Sequence, residues 1–134
     1  MRSLALDPTT GDLLLTGGCL TLVEGAEAVA QRIAGRLSLW AGEWFADTAL
    51  GVPYRTFLGA KGAEKVAEAR LRQAIATCPG VVALESFAFV FDGTTRSARI
   101  TLRARTVEGR AVVTEDGGYR VGGAANDTAL RVAA

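Results

Sequence analysis

Glu43 and Asp47 flank the aromatic pair Trp44-Phe45, and Glu85 stands on a later apolar segment. Two carboxylates roughly 5–10 Å apart across a sugar-binding cleft are what glycoside hydrolysis requires. An acid set beside aromatic rings can also have its pKa raised into a useful range. Against a cell-wall glycosidase of this kind, the chain has few polar loops from which to build a cleft. The favoured reading is structural: Glu43 anchors a turn through an ion pair or backbone hydrogen bonds while Trp44 packs. The sequence has no histidine, which removes imidazole metal ligation, Ser-His-Asp and Cys-His nucleophiles and any simple switch near neutral pH. Cys19 and Cys78 lie far apart and match no metal or redox spacing, so both are expected as buried free thiols. No metal or cofactor is expected.

The main charge asymmetry is a basic ridge, Arg99, Arg103 and Arg105, with Arg96 and Arg110 beside it and only Glu108 opposing it between residues 96 and 110. Such a face can grip phosphates, meet an acidic protein partner or stand in water. No aromatic residues interleave with it for base stacking, so nucleic acid is the least favoured of the three. The net charge of +1 adds no global attraction to nucleic acid or anionic lipid. Glycines 117, 118, 122 and 123 precede no Lys-Ser/Thr pair, so they make no phosphate loop. Trp40, Trp44, Phe45 and Tyr54 read as core or hinge packing rather than a ligand cage.

The elements that would position these residues follow from periodicity. Ala26, Ala30, Ile33, Leu37 and Trp40 recur at helical spacing, with Glu24 and Glu27 near the start and Arg32 and Arg36 toward the end, as the macrodipole favours. No Ser, Thr, Asp or Asn stands at its N-cap. Gln31 and Arg32 are expected as polar anchors beside the stripe, and Arg36 as an ion-pair partner of Glu43. Gly42 is placed to stop the helix, leaving Glu43 to Phe45 extended and residues 46–55 as an ordered loop bent at Gly51 and Pro53. A second helix fits residues 62–77, with an i,i+4 pair Glu68–Arg72 and a Pro79-Gly80 stop.

Beyond Gly80 the period becomes two. Residues 81–91, 97–106 and 110–115 read as three strands turned at Asp92-Gly93 and Glu108-Gly109. Ala98, Ile100, Leu102 and Ala104 alternate with the arginines. The first 23 residues read as a hairpin of short strands, with turns at Pro8-Thr9-Thr10-Gly11-Asp12 and Thr16-Gly17-Gly18. The expectation is an α+β fold: two helices on a small antiparallel sheet, made of a three-stranded C-terminal meander plus an N-terminal hairpin. Residues 1–115 form one domain and 116–134 a Gly-rich tail. At 134 residues and 49% hydrophobic composition, the chain can bury a core without disulfides. It shows no signal peptide and no apolar run of membrane-spanning length, so a soluble protein made in the cytoplasm is expected.

Taken in order, Asp12 to Leu15, Gln31-Arg32-Ile33, Arg36-Leu37, Gly42-Glu43-Trp44-Phe45, Gly51-Val52-Pro53-Tyr54 and Pro79-Gly80-Val81 carry a resemblance. From about Leu4 to Val113 the chain resembles the baseplate wedge and tail-sheath initiator family of contractile phage tails. That family is often labelled "tail lysozyme-like" and is related to a type VI secretion baseplate component. The resemblance implies a structural protein of the tail baseplate, assembled in the host cytoplasm. It would template the sheath by pairing β-strands with sheath subunits and contact other wedge proteins and the tail tube or hub. It implies no membrane partner. Gln31, Arg36, Gly42, Glu43, Trp44, Phe45, Gly51, Pro53 and Tyr54 would be its fold and turn motif, and Arg99, Arg103 and Arg105 a partner-binding face. The "lysozyme" label maps onto no catalytic residue here. Some relatives carry Glu-Pro-Arg where this chain has Leu84-Glu85-Ser86, so that motif's wedge contact does not carry over.

Overall fold

Three short antiparallel pairings open the chain. In the computed structural model, which describes residues 2–7, 10–92, 94, 97–115, 118–122 and 129–131, β1 (Ser3–Leu4) pairs with β4 (Leu22–Val23). β2 (Leu15–Thr16) pairs with β3 (Cys19–Leu20), and Leu6 bridges Leu13. Gly17 and Gly18 both have positive φ, 60° and 82°, as a two-residue type I′ hairpin loop requires. At the centre, three backbone N–H groups form a closed ring: Ala5 donates to Thr21, Thr21 to Leu14 and Leu14 back to Ala5, at 2.8, 3.1 and 2.8 Å. The expected hairpin is therefore present, and the chain start joins it as a third member. Pro8 and Thr9 of the first expected turn lie outside the described residues.

α1 (Gly25–Ser38) buries Ala26, Val29, Ala30, Ile33 and Leu37 along one stripe. Glu24 makes no side-chain cap. A residue far away in sequence does so instead, since the Glu108 carboxylate accepts the Ala26 N–H at 3.2 Å. The helix stops at Ser38, short of the Gly42 expected to end it, as the Leu39 N–H closes on the Gly35 carbonyl at 3.1 Å. Trp40, expected to close the stripe, therefore sits beyond the helix and is 40% exposed.

α2 (Glu64–Ala76) buries Ala67, Leu71 and Ile75. The expected Glu68–Arg72 pair forms at 2.9 Å. Thr77 caps its end, and the chain turns at Pro79-Gly80 into β5 (Val81–Asp92). β6 (Ser97–Thr106) and β7 (Ala111–Glu115) follow in antiparallel order, completing the expected three-stranded sheet against α2. The sheet then continues through β8 (Gly118–Gly122) and β9 (Ala129–Arg131), giving the order β5-β6-β7-β8-β9. Two strands thus fall in the glycine-rich stretch read as a tail, where composition carried no strand signal. Gly93, Arg96 and residues 116, 117, 123–128 and 132–134 lie outside the described residues.

The core fills the gap between the helices and the inner sheet face. Leu102 and Ala104 of β6 and Val112 of β7 join Ile33, Leu37, Leu71 and Ile75 in one buried cluster, and Thr106 of β6 is buried too. Burial fades along β6 from Leu102 through Ile100 to exposed Ala98, so that end of the β5–β6 hairpin extends past the helical layer.

Candidate functional site

The chain between the two helices is fastened to the end of α1 by main-chain bonds. Val52 N–H donates to the Leu39 carbonyl at 2.9 Å and Ala41 N–H to the Val52 carbonyl at 3.0 Å, a parallel bridge at Trp40 and Val52. Gly51 makes the crossing possible. Its φ is 102°, and a Cβ there would stand 2.5 Å from the Leu39 carbonyl oxygen. Glu43 closes its own turn, its carboxylate accepting the Trp40 N–H at 3.1 Å while its N–H donates to the Trp40 carbonyl at 3.0 Å. Pro53 leads into a single 3-10 turn, Tyr54–Thr56. There the Tyr54 hydroxyl donates to the Leu37 carbonyl, and its ring lies 5.5 Å from Trp40 and 5.6 Å from Phe57. Burial pushes the Tyr54 phenol above its ordinary pKa.

This fastening leaves the tip of the loop in solvent. Phe45 is 91% exposed and Trp44 45%. Core or hinge packing is expected for both; neither lies in the core, and Phe45 stands almost fully in solvent. Glu43 and Trp44 belong to no regular element, and Phe45 and Ala46 form a turn.

The polar edge of α1 ties three parts together. The Gln31 amide accepts the Leu6 N–H at 2.9 Å and donates to the Leu4 carbonyl at 3.0 Å, extending the β-bonding of the N-terminal strands onto the helix. Arg32 donates to the Pro79 carbonyl at 3.2 Å and to Ser3 Oγ at 3.3 Å. Arg36 does not reach Glu43, contrary to expectation. It donates to the Ala74 carbonyl and to Thr77 Oγ1, both at 3.1 Å. Arg36 thus meets the C-terminal end of α2, where carbonyls lack helical partners and positive charge is favoured, and Arg32 the chain just beyond it. Cys78 is buried beside them. Burial pushes its thiol up, while Arg36 and Arg32 pull it back. Cys19, expected to be buried too, is exposed.

Each of the three carboxylates has partners of its own. Asp47 accepts the Ala49 N–H at 3.0 Å and borders a groove of about 400 Å³ with Arg36, Arg70, Gln73 and Thr77. Glu43 is spent on its turn. Glu85, on β5, is held by Arg103 at 2.8 Å and Arg105 at 3.8 Å on β6. Among the described residues no cluster of three or more acids or cysteines is placed to hold a metal ion, and no helix is long and apolar enough to cross a membrane.

On the outer sheet face Arg99, Arg103 and Arg105 are exposed in alternation with buried Leu102, Ala104 and Thr106, as expected. Glu85, not singled out as part of this face, offsets much of its charge. Arg110 is half-buried at the β6–β7 turn, and its carbonyl accepts from Thr106. Arg96 is outside the described residues.

Residues 2–109 match the family model described as "Contractile injection system sheath initiator". The chain belongs to this sheath initiator family. No curated protein matches it. The matched span takes in the N-terminal strands, both helices, the fastened loop and the β5–β6 hairpin, and ends on the turn whose Glu108 caps α1. The chain is therefore a sheath initiator of a contractile injection system, a structural component that interacts with sheath. In this initiator, Glu43, Gly51 and Tyr54 hold the loop against the end of α1. Glu108, which sequence reading missed as a functional partner, could not be found from local pattern because it acts across 82 positions.

Proposed function

We propose that the initiator starts the sheath by offering the outer edge of β5 to an extended segment of a sheath subunit. The supporting observation is the edge itself. β5 runs for 12 residues and pairs on one side only, with β6, among the described residues. Its two irregularities fall at Val81/Ala83 and Leu84/Ser86, leaving Ser86 to Asp92 in unbroken register. Long regular edges are liabilities that proteins usually blunt by bulges, charges or a covering element. In an assembly protein such an edge is a template: main-chain bonds supply affinity and alternate side chains set register. An incoming strand would lie beside Ser86, Ala88 and Val90, one strand away from Arg103, Thr101 and Arg99. Acidic residues on its outward face would therefore be favoured. The exposed Phe45 and Trp44 would face neighbouring baseplate wedge proteins, with the tail tube or hub beyond.

The test is co-expression with the cognate sheath protein, imaged by electron microscopy. Sheath-like rings or tubes should form only when the initiator is present, capped by it at one end. Val90 is 63% exposed, so Val90→Lys should preserve the fold while placing a charge on the edge that opposes strand addition. Tubes initiated by this variant as often as by wild type would rule the β5 edge out.

A further inference from the structure

The ring of bonds among Ala5, Thr21 and Leu14 sorts the residues around it onto two faces. The three ring members turn inward, Ala5 buried and Leu14 and Thr21 half-buried. Each ring member is flanked by two leucines or lies between them, and strand alternation sends all six the other way. They meet as cross-strand pairs: Leu4 with Leu22, Leu6 with Leu13 and Leu15 with Leu20. Every one is between 37% and 59% exposed. Sheets ordinarily place polar residues on the solvent face, and here that face is leucine throughout.

We infer that this leucine face pairs with the same face of a second copy of the chain. The area fits. Six half-exposed leucines present on the order of 500 Å², the upper end of the roughly 300–600 Å² that a lone monomer leaves in one patch. Two such faces together reach the ~1,000 Å² at which specific interfaces begin. The composition fits as well, because a face made of one residue type is complementary to itself under a two-fold axis. Its nearest charges, the Arg2–Glu24 ion pair beside Leu4 and Leu22, and Asp7 and Asp12 beside Leu6 and Leu13, stand at the rim. Pairing therefore buries no charge, the arrangement in which a small apolar interface holds. The face is separate from the β5 edge, so this inference does not rest on the proposed templating role.

Sedimentation velocity of the full chain over a rising concentration series tests it. Wild type should pass from monomer to dimer with a dissociation constant in the micromolar range. Leu15→Lys with Leu20→Glu replaces one apolar pair by an opposite-charge pair that still suits the hairpin. It should weaken the dimer by at least about tenfold with an unchanged melting temperature. If that variant loses stability, hydrogen exchange on wild type decides, with protection of residues 4–22 growing with concentration. A chain monomeric throughout, a variant that dimerises as wild type does, or exchange independent of concentration would each overturn the inference. So would a monomer whose leucine variant fails only to join its sheath protein, which would assign the face to that partner.

Discussion

Phe45 and Ile33 are both large apolar residues of the matched span, and the fold treats them oppositely. Ile33 is fully buried between α1 and the sheet, whereas Phe45 stands on the loop tip in solvent. Truncating a packed core side chain removes transfer energy and leaves a cavity, so Ile33→Ala should lose about 2–5 kcal/mol in urea unfolding. Phe45→Ala should stay within about 0.5 kcal/mol of wild type, and a larger loss would show that the loop tip folds back in solution. The sequence could not separate the two, since residue type limits burial in one direction only. Ile33 was legible because it lies on a helical stripe. For Trp44 and Phe45 the deciding fact is the Glu43 turn, whose hydrogen bond is set by geometry rather than by spacing.

At the level of elements, periodic signals were read well and terminal ones poorly. The apolar stripe of α1, the Glu68–Arg72 pair of α2 and the two-residue alternation of β6 all emerge from spacing, and the strand limits near 81, 97 and 106 follow their turn residues. What lay out of reach was any feature made by two distant segments. Arg36 ends at α2 rather than at Glu43, and β8 draws its order from pairing with β7, and β9 from pairing with β8, in place of strong strand propensity. The capping of α1 is the clearest case. Glu24 supplies no cap, and Glu108 brings a carboxylate that accepts a first-turn N–H, where an anion is stabilised by the unpaired N–H groups alongside Glu27. Glu108→Ala should therefore lose about 1 kcal/mol, and amide exchange should quicken at the start of α1. Unchanged exchange at Ala26 would show that the cap contributes nothing in solution.

For the whole molecule, two ionisable groups buried where helices and loop converge set a limit at high pH. The ordinary values are 10.0 for Tyr54 and 9.0 for Cys78, and burial raises both. The folded protein thus holds these protons to higher pH than the unfolded chain does. Stability is fully present below the unfolded values and falls as pH rises through the folded ones. Thermal midpoints should be flat across neutrality and decline from near pH 9. Tyr54→Phe and Cys78→Ala should each lessen the decline relative to their own neutral midpoints. Equal slopes in all three proteins would remove these groups as the cause.

The bond ring at the N-terminus also limits where the chain can take on another strand. At the ring the N–H and carbonyl of Ala5, Leu14 and Thr21 are all taken up, so these three residues have no main-chain group left for a further strand. Among the described residues no strand pairs with the outer side of β5, where the Phe87 carbonyl accepts from Arg72 at 3.4 Å. Under the proposed templating role the initiator must not seed its polymer in two directions at once, and a ring closed at one β-module with a strand edge left at the other would give growth a single point of departure.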